Sequence, residues 1–366
     1  MIKETISKVI KRILNKNLNF TVERFPFEDY KGFYKNIYKI ITTDNVYVLK
    51  KAKSYELEAY RFLQNTVDSI PYYYGTTKYY GNNYILIECV TGQNAMRMDK
   101  SMLVKIINQI IKVQKATWQS NNSFGVSLKT SIERKYNRMK DLPNELQETY
   151  KNFISCYKKT PVAFSHEDLL PFNVLVNDNR VCFIDLEECG LLPYPTMLAR
   201  LIAFTEEKDD ALFYLSKEDY QYGIRYYYDA FIKECEIGEK QYLYTINLFI
   251  FNELIEWVFV YNKEKYQHNS FYKKWYEKAL QLGKQIKWFI IKTTFLTCSD
   301  VAFTNNLFIN GDIFSIFGNW FWFFIPSQKL IIICIITWFF WCLTIVMRKI
   351  SFFKIFIYFK HTLVIV

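Results

Sequence analysis

The segment FSHEDLLPFNVLVNDNRVCFIDLEECG, residues 164–190, sets a His-x-Asp, an Asn and a second Asp beside short apolar runs. Asn173 comes five residues after Asp168, and Asp185 closes the run VCFID. Two carboxylates and a carboxamide aimed at one point suit phosphoryl transfer, where catalysis is mostly positioning and charge neutralisation. In such a site one Asp orients a hydroxyl and accepts its proton. The Asn and the other Asp hold magnesium, whose ligands are hard oxygens. Zinc fits worse, because His166, His268 and His361 are the only histidines and none lies near a Cys pair at ligand spacing. A hydrolase triad is also disfavoured, since no G-x-S-x-G elbow occurs.

Three short strands must position these groups: AFSH (163–166), VLV (174–176) and VCFID (181–185), the last two joined by Asn177-Asp178-Asn179. Asp185 then ends the returning strand of a hairpin, beside the start of the strand that Asn173 precedes. The chemistry also demands a Lys on an upstream strand to hold nucleotide phosphates, and a Glu on the next helix to hold that Lys. FTVERF (20–25), KNIYKII (35–41) and NVYVLKK (45–51) are rich in β-branched and aromatic residues and predict an antiparallel sheet. SYELEAYRFLQN (54–65) has helix formers with Leu57, Tyr60 and Leu63 on one face, and Ser54 is placed to cap it.

NNYILIECVTGQ (82–93) predicts another strand, ending at Thr91-Gly92, where the chain can turn. Helical periodicity covers 102–118, 131–157 and, beyond Pro195, TMLARLIAFTEE, 209–235, 240–262 and 270–292. The expected class is α+β: a small antiparallel lobe over 1–92, a mostly helical catalytic and substrate lobe over 93–292, and a hydrophobic tail over 293–366.

With these residues in place, the chain resembles the aminoglycoside phosphotransferase and choline kinase-like superfamily, relatives of the protein kinases. The family motif H-x-D-x-x-x-x-N followed by I-D-x-E reads here as HEDLLPFN and IDLE. The resemblance covers roughly residues 20–290 and implies a two-lobed protein-kinase-like fold. It implies Asp168 as catalytic base, Asn173 and Asp185 as metal ligands, Lys50 as the phosphate-binding lysine and Glu56 as its helix partner. ATP or GTP with magnesium would be the cofactors, and a small-molecule hydroxyl the acceptor. Lys50 is preferred to Lys51 because it directly follows the strand's Val-Leu, and Glu56 to Glu58 because it shares a face with Tyr60 and Leu63. The turn GFYKNIYKI, with Gly32, Asn36 and Tyr38, and the hinge TGQ match family features more weakly. Three departures stand out. Glu167 replaces the Gly common after the His, and Gln114 lies where many members have a His. LPYPTMLA lacks the Asp that precedes Leu-Ala in the family, a loss that bears on how the catalytic loop is braced.

The other features narrow the class. A formal charge of +11 comes from Lys residues scattered among acids, with no Arg-rich run, which does not read as nucleic-acid binding. The eight Cys form no C-x-x-C pair, as expected for reduced thiols in a cytosol. The first twenty residues alternate charge with Ile, Val and Leu and lack the apolar core of a signal peptide. Glu187 and Glu188, and Glu253 and Glu256 three apart on one helix, are candidate amine ligands or plain solvated faces. His166 reads as a structural residue of the loop, and Trp257 as core. The competing class of function is a catalytically silent binding or structural protein on the same scaffold, such as a spore-coat-type relative.

In the tail, KLIIICIITWFFWCLTIVMRK (329–349) holds 18 uncharged residues between basic ends. As a helix it would measure roughly 27 Å against a hydrocarbon core of about 30 Å. A single span would put Arg348, Lys349, Lys354 and Lys360 on the far side, against the positive-inside tendency. Two readings follow: a membrane-associated segment of a cytoplasmic protein, or out-of-frame translation of AT-rich DNA.

Overall fold

Alternation along two strands sets the first half of the molecule. In the computed structural model, β1 (Thr21–Pro26), β2 (Phe33–Ile41), β3 (Val46–Lys51), β4 (Tyr73–Tyr79) and β5 (Asn82–Glu88) form one antiparallel sheet ordered β1-β2-β3-β5-β4. Helix α1 (Ile2–Leu14) buries Ile6, Val9 and Ile10 against Ile40, Tyr47, Leu49, Tyr79 and Leu86. Each such aliphatic side chain contributes about 1.5–3 kcal/mol of burial. Ile85 and Ile87 point to the opposite face, into the core shared with α2 (Ser54–Leu63). Period-2 alternation therefore sends Leu49 towards α1 and Lys50 towards α2.

The structure describes residues 2–26, 33–64, 66–263 and 270–304. The chain divides into two compact units, Met1–Phe295 and Leu296–Val366, and the candidate site with its scaffold lies in the first. Gly32 and the apolar stretch 329–349 fall outside the described residues.

After the sheet, β6 (Gln93–Asn94) pairs with β8 (Val174–Val176), which pairs with β9 (Val181–Phe183), while β7 (Val162–His166) pairs with β10 (Cys189–Pro193). Gly92 is required at the crossing: a Cβ there would sit 2.9 Å from the Val176 carbonyl oxygen. The turn between β8 and β9 is closed by Asn177, whose Oδ1 accepts from the Asn179 and Arg180 amides at 3.0 and 2.9 Å.

Helices α3 (Lys100–Thr117), α4 (Leu128–Lys140), α5 (Asn144–Lys159), α6 (Thr196–Ile202), α7 (Lys217–Ala230), α8 (Glu239–Lys263) and α9 (Ser270–Thr304) make up most of the rest. The stretch expected to be one helical run over 131–157 is two helices, because Pro143 cannot continue α4 and instead precedes α5. Ser54 does not cap α2; Lys53 is the cap residue and Ser54 begins the helix. β4 was not among the expected strands. Among the described residues, only Glu239–Tyr261 of α8 is long and apolar enough to cross a membrane. It is a core helix: it packs on α5 and α6, and Ile246, Phe249, Phe251 and Ile255 are buried.

Candidate active site

Lys50 is 6% exposed on the α2 face of the sheet, whereas its neighbour Lys51 lies at the surface. Its Nζ sits 2.9 Å from Glu56 Oε1 and donates a hydrogen bond of 2.9 Å to Asp185 Oδ1, with Glu187 Oε1 at 3.6 Å. Burial opposes the Lys50 charge, but the Glu56 and Asp185 carboxylates outweigh it and hold the amine above the usual lysine range. Glu56 shares the buried face of α2 with Leu57, Tyr60 and Leu63 and has no exposed surface. Its contact with Lys50 lacks hydrogen-bond geometry, and both carboxylate oxygens and the Tyr60 hydroxyl have no hydrogen-bond partner among the described residues. Burial accordingly pushes the Glu56 carboxyl up to about 7, with the Lys50 charge pulling the other way. Glu58, the alternative, faces elsewhere and accepts from the Gly125 amide at 3.1 Å.

The loop after β7 is tied to the hairpin through one histidine. His166 Nδ1 accepts from the Asp168 amide at 3.1 Å, and its Nε2 bonds the Ile184 carbonyl at 3.0 Å, so the ring carries its proton on Nε2. Burial lowers the His166 pKa and keeps the ring neutral, which suits a structural brace. The Ile184 amide donates to the Asn173 carbonyl at 3.0 Å, placing Asn173 next to the residue before Asp185. Asn173 Nδ2 donates to the Asp168 carbonyl at 2.8 Å and to Asp168 Oδ2 at 3.3 Å. Asp185 itself has φ 60°, ψ 60°, a left-handed conformation uncommon for a residue with a side chain. Strain of this kind costs of order 1–3 kcal/mol and concentrates at functional sites. Thus Lys50, Glu56 and Asp185 come together, Asp168 and Asn173 come together, and backbone contacts around Ile184 join the two groups.

A residue that the sequence reading passed over completes the loop. Arg200 of α6 donates from Nη2 to Asp168 Oδ1 at 2.7 Å, and from Nη1 to Glu253 Oε2 at 2.9 Å and Glu256 Oε2 at 2.7 Å. Arg138 adds bonds to Glu256 Oε1 at 3.1 Å and Asn252 Oδ1 at 3.3 Å. Burial opposes the Arg200 charge, yet Glu256, Glu253 and Asp168 hold it firmly protonated. Burial raises the carboxyl pKa of Glu253 against the pull of Arg200, whereas at Glu256 the two arginines win and lower it. The signal in the sequence was the motif departure itself: Met197 stands where the family's Asp is missing, and Arg200 follows three residues on.

The other departures are also filled. Gln114 is buried and donates to the Tyr194 and Phe164 carbonyls at 2.8 and 3.3 Å, while Tyr227 donates its hydroxyl to Gln114 Oε1. Glu167 Oε1 accepts from Ser131 at 2.6 Å and Lys135 at 2.7 Å. Burial would raise its pKa, but Lys135, Ser131 and Arg138 bring it down to about 2. The candidate amine ligands are engaged by the protein's own cations. Glu187 pairs with Lys53 at 2.7 Å and Glu188 with Arg134 at 2.5 Å, as Glu253 and Glu256 do with Arg200.

Antiparallel sheet, hinge, short paired strands and helical remainder together make a kinase-like fold, which the solved structures bear out. A choline kinase from Streptococcus pneumoniae superposes with TM-score 0.53 at 13% identity, covering 78% of this chain and 99% of the other. An aminoglycoside phosphotransferase from Alicyclobacillus acidocaldarius gives 0.51 at 12% identity, covering 77% and 95%. A choline/ethanolamine kinase family protein from Mesorhizobium loti gives 0.51 at 12% identity, covering 78% and 95%. At such identities the likeness is one of fold. The family follows from the sequence: the model of the phosphotransferase enzyme family matches residues 31–229, more than half of the chain, and the chain belongs to that family. No curated protein matches it.

Proposed function

We propose that the protein transfers the γ-phosphoryl group of ATP, or GTP, to a hydroxyl of a small molecule, with Asp168 as the base. The observation that carries this reading is the buried Lys50 amine held between Glu56 and Asp185. A lysine so placed, with a carboxylate from the following helix behind it, is the arrangement that grips nucleotide phosphates in kinases. Magnesium fits the donors at hand. Asn173 commits its amide nitrogen to Asp168, and among the described residues nothing donates to its Oδ1 or to Asp185 Oδ2. Those two oxygens would hold the ion, which would neutralise the phosphate charge. Lys50 binds and orients the phosphates, and Asp168 orients the acceptor and takes its proton.

The acceptor is an aminoglycoside, a choline-like amino-alcohol or a sugar. Glu187, Glu188, Glu253 and Glu256 are all paired internally, so a cationic acceptor would have to displace a protein cation to use them. Nucleotide dependence places the reaction in the cytoplasm. The test is calorimetric titration of the full chain with ATP and magnesium, wild type against Asp185→Ala. Binding by the wild type and its loss in the variant support the reading. Absence of binding by the wild type overturns it and leaves the silent scaffold.

A further inference from the structure

We propose that Arg200 is a positioning residue for phosphoryl transfer, fixing Asp168 in the orientation that meets the acceptor hydroxyl; this rests on the reading of Asp168 as the base. The two oxygens of Asp168 are held unequally. Oδ1 is committed to the Arg200 guanidinium at 2.7 Å, a charge-assisted hydrogen bond. Oδ2 receives only the 3.3 Å contact from Asn173 and is the oxygen left to face a substrate. The Asp168 side chain is 35% exposed, so a hydroxyl can reach it.

The guanidinium is itself immobilised. It is 9% exposed, lies over the Phe204 ring with its carbon 5.5 Å from the centroid, and spends Nη1 on two glutamates of α8. A planar fork anchored at one end presents the other end in a fixed direction, which a lysine ammonium does not. Rotation of Asp168 would break a short ionic bond in a largely dehydrated setting. In the transfer step the acceptor O–H gives its proton to Oδ2 as its oxygen bonds the γ-phosphorus. The bond from that phosphorus to the ADP oxygen breaks, and ADP leaves with the electron pair. Because acceptor, base and phosphorus must line up, misplacement of the base by an ångström costs about 10²-fold in rate. Arg200 thereby braces Asp168 from inside α6, in a chain that has Met197 before Leu198-Ala199.

The test uses the full chain with ATP and magnesium, water serving as the acceptor, and follows release of labelled γ-phosphate alongside calorimetric ATP binding. Arg200→Met lowers kcat by about 10²-fold while KM for ATP and the ATP affinity hold, and Arg200→Lys recovers only part of the loss. The double variant Arg200→Met with Glu253→Gln, which removes the buried acid that Arg200→Met strands while Glu256 keeps Arg138, shows the same loss and a restored urea midpoint, which excludes misfolding as its source. Placed on an Asp168→Asn background, Arg200→Met adds nothing further, because both changes act through one carboxylate. Loss that is additive on Asp168→Asn, or a kcat that is unchanged or raised in Arg200→Met, overturns the proposal. Those outcomes differ from failure of the wild type to bind ATP, which removes the phosphotransferase reading and this proposal with it.

Discussion

Two charge clusters flank the hairpin, and they differ in how far their buried polar atoms are hydrogen-bonded. Around Arg200 the contacts to Asp168, Glu253 and Glu256 are hydrogen bonds of 2.7–2.9 Å, and Arg138 bonds Glu256 and Asn252, which leaves Arg200 Nε as the buried polar atom of this group without a partner among the described residues. Around Lys50 the geometry is incomplete. Glu56 lies fully buried, ion-paired to Lys50 at 2.9 Å but without a hydrogen bond of good geometry, and Asp185 holds a left-handed backbone. A buried network rigidifies what it touches to the extent that its members are satisfied. On the proposed function, the Arg200 side would hold a group still and the Lys50 side would receive phosphate and metal.

The largest expected effect lies on the braced side. Asp168→Asn lowers turnover by about 10²–10⁴-fold, the usual contribution of a positioned base, and leaves ATP binding intact. Equal loss of ATP affinity in that variant would erase the functional distinction between the clusters. Next comes stability: Arg200→Met alone strands the buried Glu253 carboxyl and costs about 3–5 kcal/mol, read as a lower urea midpoint at constant slope.

On the Lys50 side the prediction is a pH dependence. Glu56 titrates near 7 in the fold against an ordinary value of 4.5, so between those values the folded state holds a proton that the unfolded state has lost. Stability from this group is therefore fully present below pH 4.5 and declines as pH rises through 7. Urea melts at pH 5 and 8 should show the wild type losing about 2.5 kcal/mol relative to Glu56→Gln over that interval. A parallel pair of curves would mean that Lys50 satisfies Glu56 after all. The smallest effect belongs to the outer rim, where Lys53 is 58% exposed opposite Glu187. Lys53→Ala changes stability by about 0–1 kcal/mol, and the change shrinks further in salt.

Much of the scaffold was legible because it is local. Val48-Leu49-Lys50 alternates with period two, so an inward Leu49 forces Lys50 to the other face, and the 3.6-residue repeat places Glu56 with Tyr60 and Leu63. The short strands VLV and AFSH were visible as apolar runs bounded by turn residues. β4 escaped because the bulge at Tyr73/Gly75 interrupts the alternation that would announce a strand. The single helical run over 131–157 was misjudged because Pro143 falls in an otherwise helical pattern.

The sequence by itself determined which residues are candidates for chemistry, since Asp168 and Asn173 lie in the loop before one short hairpin and Asp185 just after it, where spacing is geometry. Tertiary structure alone decided how that chemistry is held. Arg200 lies 32 residues from Asp168 and 53 and 56 from Glu253 and Glu256. No periodicity relates them, and on paper each is a charged residue in a helix. Only when α6 packs on α8 and the loop after β7 lies beside them do one cation and three carboxylates meet, with Arg200 and Glu253 buried and Asp168 and Glu256 partly open to solvent. For the buried pair Arg200–Glu253 the cost of dehydrating each charge makes the pairing obligatory.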